Sequence, residues 1–561
     1  MQQRDILFGI WERLYPGVPS TDLEQFLADG ENSQAVLQKD EIQADWYKDA
    51  VVYSLYADLF NNDFAGLTQK LDYLHELGIN CIWLLPVLDS PMRDAGFDIS
   101  NYYQIRADLL DKSGKSADQQ VFRQFLAEAH KKGIRVIFDI SMNHTSDEHP
   151  WFVEASKSKE NPHRNYYIWS KDTDLYKDAR IIFKGIESSN WEKKGDEYFF
   201  HRFFNFQPDL NYRNPQVLLE MCRILHFWQA AGVDGFRADA TPYIWKVDGT
   251  DCENLTETHL VVKFFRAMLD YFKPGTLLLA EACQQPAKVV EYMGNDDECH
   301  AAYHFPLMPR IYKSIAMQNG NPIEETLSSA FTPELPAHGQ WFTFLRCHDE
   351  LSLELVYVTE EERKYIHQQY CLKPEWDFRL GEGISARLSE LMQRDYRRIL
   401  LAYSIILSLP GTPVIYYGDE FGKLNDETYY NEMIQLTGKD DTRFLVRGKI
   451  NWNELAENLS DTNSLSSKIY EKLKQMLHIR NQHKTFGRGK LEFIKMPGYP
   501  NGQLLSFIRS YQDEKWMIIH NLTNQVLPVT LPEAADGAID IFSGTKPDQI
   551  EPYGFCWLQI S

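Results

Sequence analysis

The chain has 561 residues, room for three to four domains at roughly 150 residues each, although one (β/α) barrel can absorb half the length. Hydrophobic residues make up 43% and charged residues 25%, which excludes wholesale disorder, collagen-like repeats and a polytopic membrane protein. Lys+Arg 58 against Asp+Glu 80 leaves −22, a surface that repels phosphate backbones and anionic headgroups, so neither nucleic acid nor membrane is an expected partner.

A polar, helical opening over residues 1–45 is followed by short apolar runs alternating with amphipathic stretches, the signature of βα units. The strand candidates are Ala50–Phe60, Asn80–Val87, Arg135–Ile140, Gly235–Ala240, Thr276–Ala282, His300–Phe305, Gln340–Cys347 and Pro413–Tyr417. Eight such strands close a (β/α)8 TIM barrel. Between the first two, Leu67, Leu71, Leu74 and Leu77 predict one helix ending at Gly78 as its C-cap. The longest apolar helix candidate, Ile399 to Leu409, is too short to span a bilayer.

Two intervals break the rhythm, Thr145 to Arg213 and Leu351 to Asp395. Loops of that length are rarely unstructured, so each is expected to be an insertion over the C-terminal face of the barrel. From about Arg488 the pattern turns to hairpin-like strands. The expected division is therefore an N-terminal extension (1–45), a catalytic barrel (46–144 and 213–487), an inserted domain (145–212) after strand 3, an inserted subdomain (351–395) after strand 7, and a C-terminal antiparallel β-domain of sandwich form (488–561). Eight scattered cysteines without a CxxC read as reduced core residues, and the N-terminus lacks a secretory apolar segment. Both point to the cytoplasm.

Chemistry in such a barrel sits where the strands end. Asp139 ends strand 3, Asp239 strand 4, Glu281 strand 5 and Asp349 strand 7, with Asn143-His144, Arg237 and His348 beside them. Converging carboxylates suit either metal-assisted hydrolysis or glycoside cleavage by an acid and a nucleophile. Taken singly, each acid could equally be a structural ion pair or a helix N-cap. In the glycosidic reading Glu281, after Leu277-Leu278-Leu279-Ala280, suits the protonated acid. Asp239 suits the nucleophile, because Arg237 two residues earlier points to the same face and keeps a carboxylate ionised.

The segments Asp139-Ile-Ser-Met-Asn143-His144, Gly235-Phe-Arg237-Ala-Asp239, Glu281 and His348-Asp349 resemble the four signature regions of the α-amylase family of retaining glycoside hydrolases and transglycosylases, and Gln207-Pro208-Asp209-Leu210-Asn211 resembles its additional signature. The resemblance implies Asp239 as nucleophile, Glu281 as acid/base and Asp349 as the third carboxylate, with Arg237, His144 and His348 contacting the sugar. Landmarks such as Asp178-Ala-Arg-Ile-Ile-Phe183 and His304-Phe-Pro-Leu-Met-Pro-Arg310 are similar to the trehalose-synthase branch, which isomerises maltose and trehalose. Tyr243-Ile-Trp-Lys246 and the polar N-terminal extension are closer to the sucrose-using amylosucrases. The same signature regions are compatible with a plain α-glucosidase or α-amylase-type hydrolase, and the fold by itself with a catalytically inactive carbohydrate-binding protein.

The resemblance also implies that Asp94 and Asp98, bridged to Arg447, close the back of a one-glucose pocket, which favours disaccharides or short oligosaccharides as substrates. A homodimer would accord with these relatives. The calcium loop of many relatives is shortened here to Asn61-Asn62-Asp63-Phe64-Ala65-Gly66, and at the second calcium position, around Asn143 and Asp209, Lys246 stands where trehalose synthases have a Glu. No cofactor and no bound metal are therefore expected. Cys347 in place of an Asn, and Gln285 in place of a Trp, are further departures near the acceptor side.

Overall fold

The computed structural model describes residues 2–34, 44–111, 118–183, 185–499 and 501–560. Eight parallel strands form a closed barrel: β1 (Val52–Leu55), β2 (Cys81–Leu84), β3 (Arg135–Ser141), β4 (Gly235–Asp239), β5 (Leu277–Ala280), β6 (Ala301–Tyr303), β7 (Gln340–Phe344) and β8 (Thr412–Tyr416). Each pairs with its sequence neighbours, and β8 closes on β1 with Val52 opposite Val414. Most are buried on both faces, as the continuous apolar runs require when helices cover the outside of a parallel sheet.

The strands are shorter than the apolar runs that announce them. After Leu55 the chain turns at once into the helix Ala57–Asn61, so only the first half of Ala50–Phe60 is strand. The single helix expected up to Gly78 is two, Phe64–Gln69 and Leu71–Leu77, broken where Lys70 leaves helical geometry at φ −103°, ψ 4°. Gly78 does cap the second with φ +106°, a conformation that costs a glycine little.

The N-terminal extension carries the helices Gln2–Leu14 and Thr21–Gln34, while residues 35–43 of that expected segment lie outside the described residues. Trp11 packs on Phe264 of the barrel helix Thr256–Phe272, and the Tyr15 hydroxyl donates to the Tyr212 carbonyl at 2.8 Å. Both intervals that break the βα rhythm carry small antiparallel sheets: Trp169–Ser170, Glu197–Phe200 and Trp191–Lys194 after β3, and Leu351–Ser352, Gly383–Ile384 and Asp377–Phe378 after β7.

The C-terminal region is a four-stranded antiparallel sheet, ordered Lys490–Ile494, Leu504–Tyr511, Glu514–Asn521 and Phe555–Ile560, with a two-stranded ribbon of Leu527–Pro528 and Gln549–Ile550. Its strands alternate strictly. Trp516 and Ile518 join the barrel core, whereas Met517 and Ile519 pack with Val529 and Ile550 under the ribbon. The alternation explains polar residues in the apolar helix Tyr396–Ser408, where Ser404 Oγ accepts Trp557 Nε1 and meets His520 Nε2, both at 2.9 Å. Among the described residues no helix is long and apolar enough to cross a membrane.

Candidate active site

Strand register builds the centre of the site. In the β3–β4 ladder Asp139 lies directly opposite Arg237, and Ser141 opposite Asp239. Arg237 and Asp239, two apart on one strand, project from the same face into the barrel mouth. Arg237 Nη1 consequently contacts Asp139 Oδ1 at 2.8 Å and Asp239 Oδ1 at 2.5 Å, while its Nη2 stands 3.8 Å from Glu281 Oε1. The indole of Trp83, on β2, donates to the other Asp139 oxygen at 2.9 Å. The guanidinium is buried, boxed by the rings of Trp83, Phe97 and Tyr303.

Glu281 follows β5 and is fixed by the turn after β4. Ala240 there takes the left-handed conformation (φ 56°, ψ 34°), which turns its N–H toward Glu281 Oε2 at 3.1 Å. A non-glycine residue at positive φ is uncommon, and such strain concentrates at functional sites.

Three acids thus share one buried cation. Burial pushes the Asp239 carboxyl up, to about 8, against the pull of Arg237 and with the charges of Glu281 and Asp139 adding to the rise. Asp139 is likewise raised, to about 6, mainly by burial. Contrary to the expectation from sequence, Arg237 alone does not keep Asp239 ionised: the guanidinium is in contact, but desolvation and two neighbouring acids outweigh it. The cluster retains a proton at neutral pH.

Asp349 is held differently. Burial raises it, but His348, Arg443, Arg447 and Arg237 together outweigh burial and hold it well below the usual carboxylate range. Arg443 Nη1 and Arg447 Nη2 reach Asp349 Oδ1 at 3.2 and 3.3 Å, and His348 Nε2 lies 3.1 Å from Oδ2. Burial lowers both site histidines, His348 to about 3 and His144 to about 4, so each meets a ligand as a neutral imidazole. The His348 ring stacks on Phe97 at 5.6 Å, and His144 Nε2 sits 3.0 Å from Ser141 Oγ.

Asp94, His144, Arg237, Asp239, Glu281, His348, Asp349 and Arg447 line one cavity of about 220 Å³. That is smaller than the roughly 300–1,000 Å³ typical of ligand pockets and suits a short sugar rather than a long chain. The back of the cavity differs from expectation. Arg447 donates from Nε to the His348 carbonyl at 3.0 Å and reaches Asp349; among the described residues it bridges neither Asp94 nor Asp98. Asp98 is fully buried and held by Ser90 Oγ (2.9 Å), the amides of Arg93 and Asp94 (3.2 Å each) and the Arg93 guanidinium (Nε, 3.4 Å), outside the cavity lining. Asp94 accepts from Gln207 Nε2 at 2.9 Å.

Sequence reasoning missed Arg443, Phe97 and the outer wall, where Arg180, Phe203, Glu350, Glu354 and Arg379 close the cavity mouth. Burial and adjacent Asp349 push Glu350 up to about 7. Glu350 could have been found from its position next to Asp349; nothing local marks the others. Cys347 lines a second, smaller chamber of about 120 Å³ with Cys283, Tyr303 and Phe344. Gln285 donates to the Val356 carbonyl, and Gln284 donates to the Glu253 carboxylate at 3.0 Å.

At the second calcium position Lys246 Nζ lies 2.7 Å from Asp209 Oδ2 and donates to Asn143 Oδ1 at 2.7 Å, all three residues being buried. The donor set does not fit a calcium ion while an ammonium stands between these oxygens. In the shortened loop Asp63 caps the next helix through the Gly66 amide at 2.8 Å, and Asn61 donates to the Gly66 carbonyl. Lys246→Met is expected to cost about 3–5 kcal/mol by leaving Asp209 buried without its cation. A urea midpoint unchanged from the parent protein would contradict that role.

The fold and this arrangement of acids define a glycoside-active enzyme, and the chain belongs to the alpha-amylase family, whose catalytic-domain profile matches residues 27–489. It is 40% identical over 564 aligned positions to "Trehalose synthase/amylase TreS" of Mycolicibacterium smegmatis, covering 92% of each chain. It is 38% identical over 526 positions to "Trehalose synthase" of Pimelobacter sp., covering 87% of this chain and 89% of that one. Among solved structures, the alpha-amylase from H. orenii superposes with a TM-score of 0.70 at 23% identity over 92% of this chain and 100% of the other, which establishes the shared fold.

Proposed function

We propose that this protein is a retaining α-glucoside transglucosylase that interconverts maltose and trehalose. The observation that carries the reading is the placement of Asp239, Glu281 and Asp349 on one short-sugar cavity, with Arg237 2.5 Å from Asp239 and 3.8 Å from Glu281. The relatives named trehalose synthase at about 40% identity support the choice of substrate.

The mechanism requires the proton of the cluster to stand on Glu281, the acid farther from the guanidinium, and Asp239 to attack as the anion, the roles that the family resemblance gives them. In the first step an Asp239 oxygen bonds to the anomeric carbon while the glycosidic bond breaks, and the Glu281 proton passes to the departing oxygen. In the second step ionised Glu281 takes the proton from the 1-hydroxyl of the glucose still in the cavity. That oxygen attacks the anomeric carbon and displaces Asp239. Two inversions retain the α configuration. Ionised Asp349 and neutral His348 and His144 accept and donate hydrogen bonds to the ring hydroxyls throughout. No cofactor enters either step, and the Lys246 ammonium between Asp209 and Asn143 supports a fold that needs no calcium there. The reading extends to a cytoplasmic homodimer, supported in its first part by eight free cysteines and in its second by the family resemblance.

Incubation with maltose, trehalose and sucrose separately tests this reading. Interconversion of the first two, with glucose as a minor product, is expected. Fructose release with glucan growth from sucrose, or glucose as the sole product from all three, would replace it with a sucrose transglucosylase or a hydrolase.

A further inference from the structure

We propose that His367, Cys371 and Asp377, on the insertion after β7, form a binding site for a thiophilic divalent transition-metal ion of the zinc class. His367 and Cys371 lie at the C-terminal end of the helix Glu360–Tyr370, whose start is pinned by a capping box between Thr359 and Glu362. Four residues apart, they occupy the same face, and the Cys371 amide still donates to the His367 carbonyl at 2.8 Å, which preserves that spacing. Asp377 comes from the strand Asp377–Phe378, held against Gly383–Ile384, and meets His367 Nε2 at 2.7 Å.

One sulfur, one nitrogen and one oxygen atom therefore lie within 4.8 Å of one another. Ligands around tetrahedral zinc stand about 3.3–3.8 Å apart, given bond lengths of roughly 2.0–2.3 Å, so closure asks the sulfur to approach by about 1.5 Å at most and the His367–Asp377 pair, now at 2.7 Å, to open slightly. The set is the mixed soft and borderline one that favours zinc over calcium or magnesium. His367 and Asp377 are 30% exposed, so solvent can deliver the ion and supply a fourth ligand. The surroundings suit a cation: the carboxylates of Asp377 and Glu375 both act on the Cys371 sulfur, and the nearby Lys373 ammonium is already paired with Glu427. A simple helix-end tie between His367 and Asp377 leaves the adjacent thiol, among the described residues, with the Lys373 carbonyl at 3.5 Å as its hydrogen-bond partner.

The location gives the site a consequence. Two residues beyond Asp377, Arg379 stacks over Phe183 at 4.4 Å and lines the catalytic cavity. Arg379, Leu380 and Gly381 all take positive φ, so this segment is a tight, sterically restricted loop. An ion on Asp377 would anchor its root.

The test uses the full-length chain, reduced and stripped with chelator. Zn2+ titration should give one saturable ion per chain, and Co2+ should produce a thiolate-to-metal charge-transfer band with tetrahedral d–d absorption. Cys371→Ser should abolish the charge-transfer band, and it and His367→Gln should each weaken Zn2+ binding by about tenfold or more, while Cys347→Ser leaves binding intact. In the unmodified protein, Zn2+ should also protect Cys371 from iodoacetamide, read by peptide mass, so the outcome does not depend on a variant folding. Absence of saturable binding, unprotected Cys371, or a band that survives Cys371→Ser and disappears in Cys347→Ser would overturn the proposal, the last by placing the ion at Cys347-His348-Asp349.

Discussion

Asp239→Gly will lower turnover by about 10⁴-fold or more, the scale seen when a covalent nucleophile is removed while binding survives. The sharper result is stereochemical. With the carboxylate gone, added azide can enter the space it leaves and attack the anomeric carbon of an activated α-glucoside from the same side, giving a β-glucosyl azide. In Glu281→Gln the glucosyl–Asp239 intermediate still forms from a substrate whose leaving group needs no proton, and azide then yields the α-glucosyl azide. Opposite anomers from the two variants assign the two roles independently of how far each rate falls. The same anomer from both would end the assignment.

Arg237→Leu is expected to be nearly as damaging, for an electrostatic reason. Arg237 is the cation shared by Asp139, Asp239 and Glu281, and its removal leaves buried acids facing one another. Removing one partner of a buried ion pair typically costs about 3–5 kcal/mol. The sign of the pH effect follows from what remains. Arg237 opposes the rise that burial imposes on Asp239, already at about 8, so without it the carboxyl moves further up and its anion becomes scarcer still at neutral pH. Any surviving activity should therefore need more alkaline conditions than the parent enzyme, and Arg237→Lys should recover part of both stability and rate. A pH–rate profile unmoved in Arg237→Leu would show that the guanidinium does not set the charge state of the cluster.

The barrel and its acids were legible because each depends on local sequence: an apolar run makes a buried strand, and an acid just past its end lands at the mouth. Boundaries were less so. Ala50–Phe60 is uniformly apolar enough to read as one strand, yet the chain turns into helix straight after Leu55. Partner choice was least legible. Arg447 was set beside Asp94 and Asp98 by the family resemblance, but a resemblance does not say which of several acids is nearest, and Asp98 is held by Ser90, two backbone amides and Arg93 Nε at 3.4 Å. Arg443 went unseen because it lies in the short 3₁₀ turn Thr442–Val446, far along the chain from the Asp349 it meets.

The rungs that set Asp139 against Arg237 also order the appearance of charge along the polypeptide. The guanidinium arrives with β4, after the first acid, beside the second and ahead of Glu281, so these three carboxylates need never gather without their counterion. Asp349 is escorted only in part, by Arg237 and the neighbouring His348. Two of its guanidinium partners, Arg443 and Arg447, lie beyond β8, and until the chain has run that far the acid is better left in water. Closure of the barrel therefore does not complete the sugar-binding wall: the final stave ends at Tyr416, and the cations that hold Asp349 are supplied by the chain that follows it.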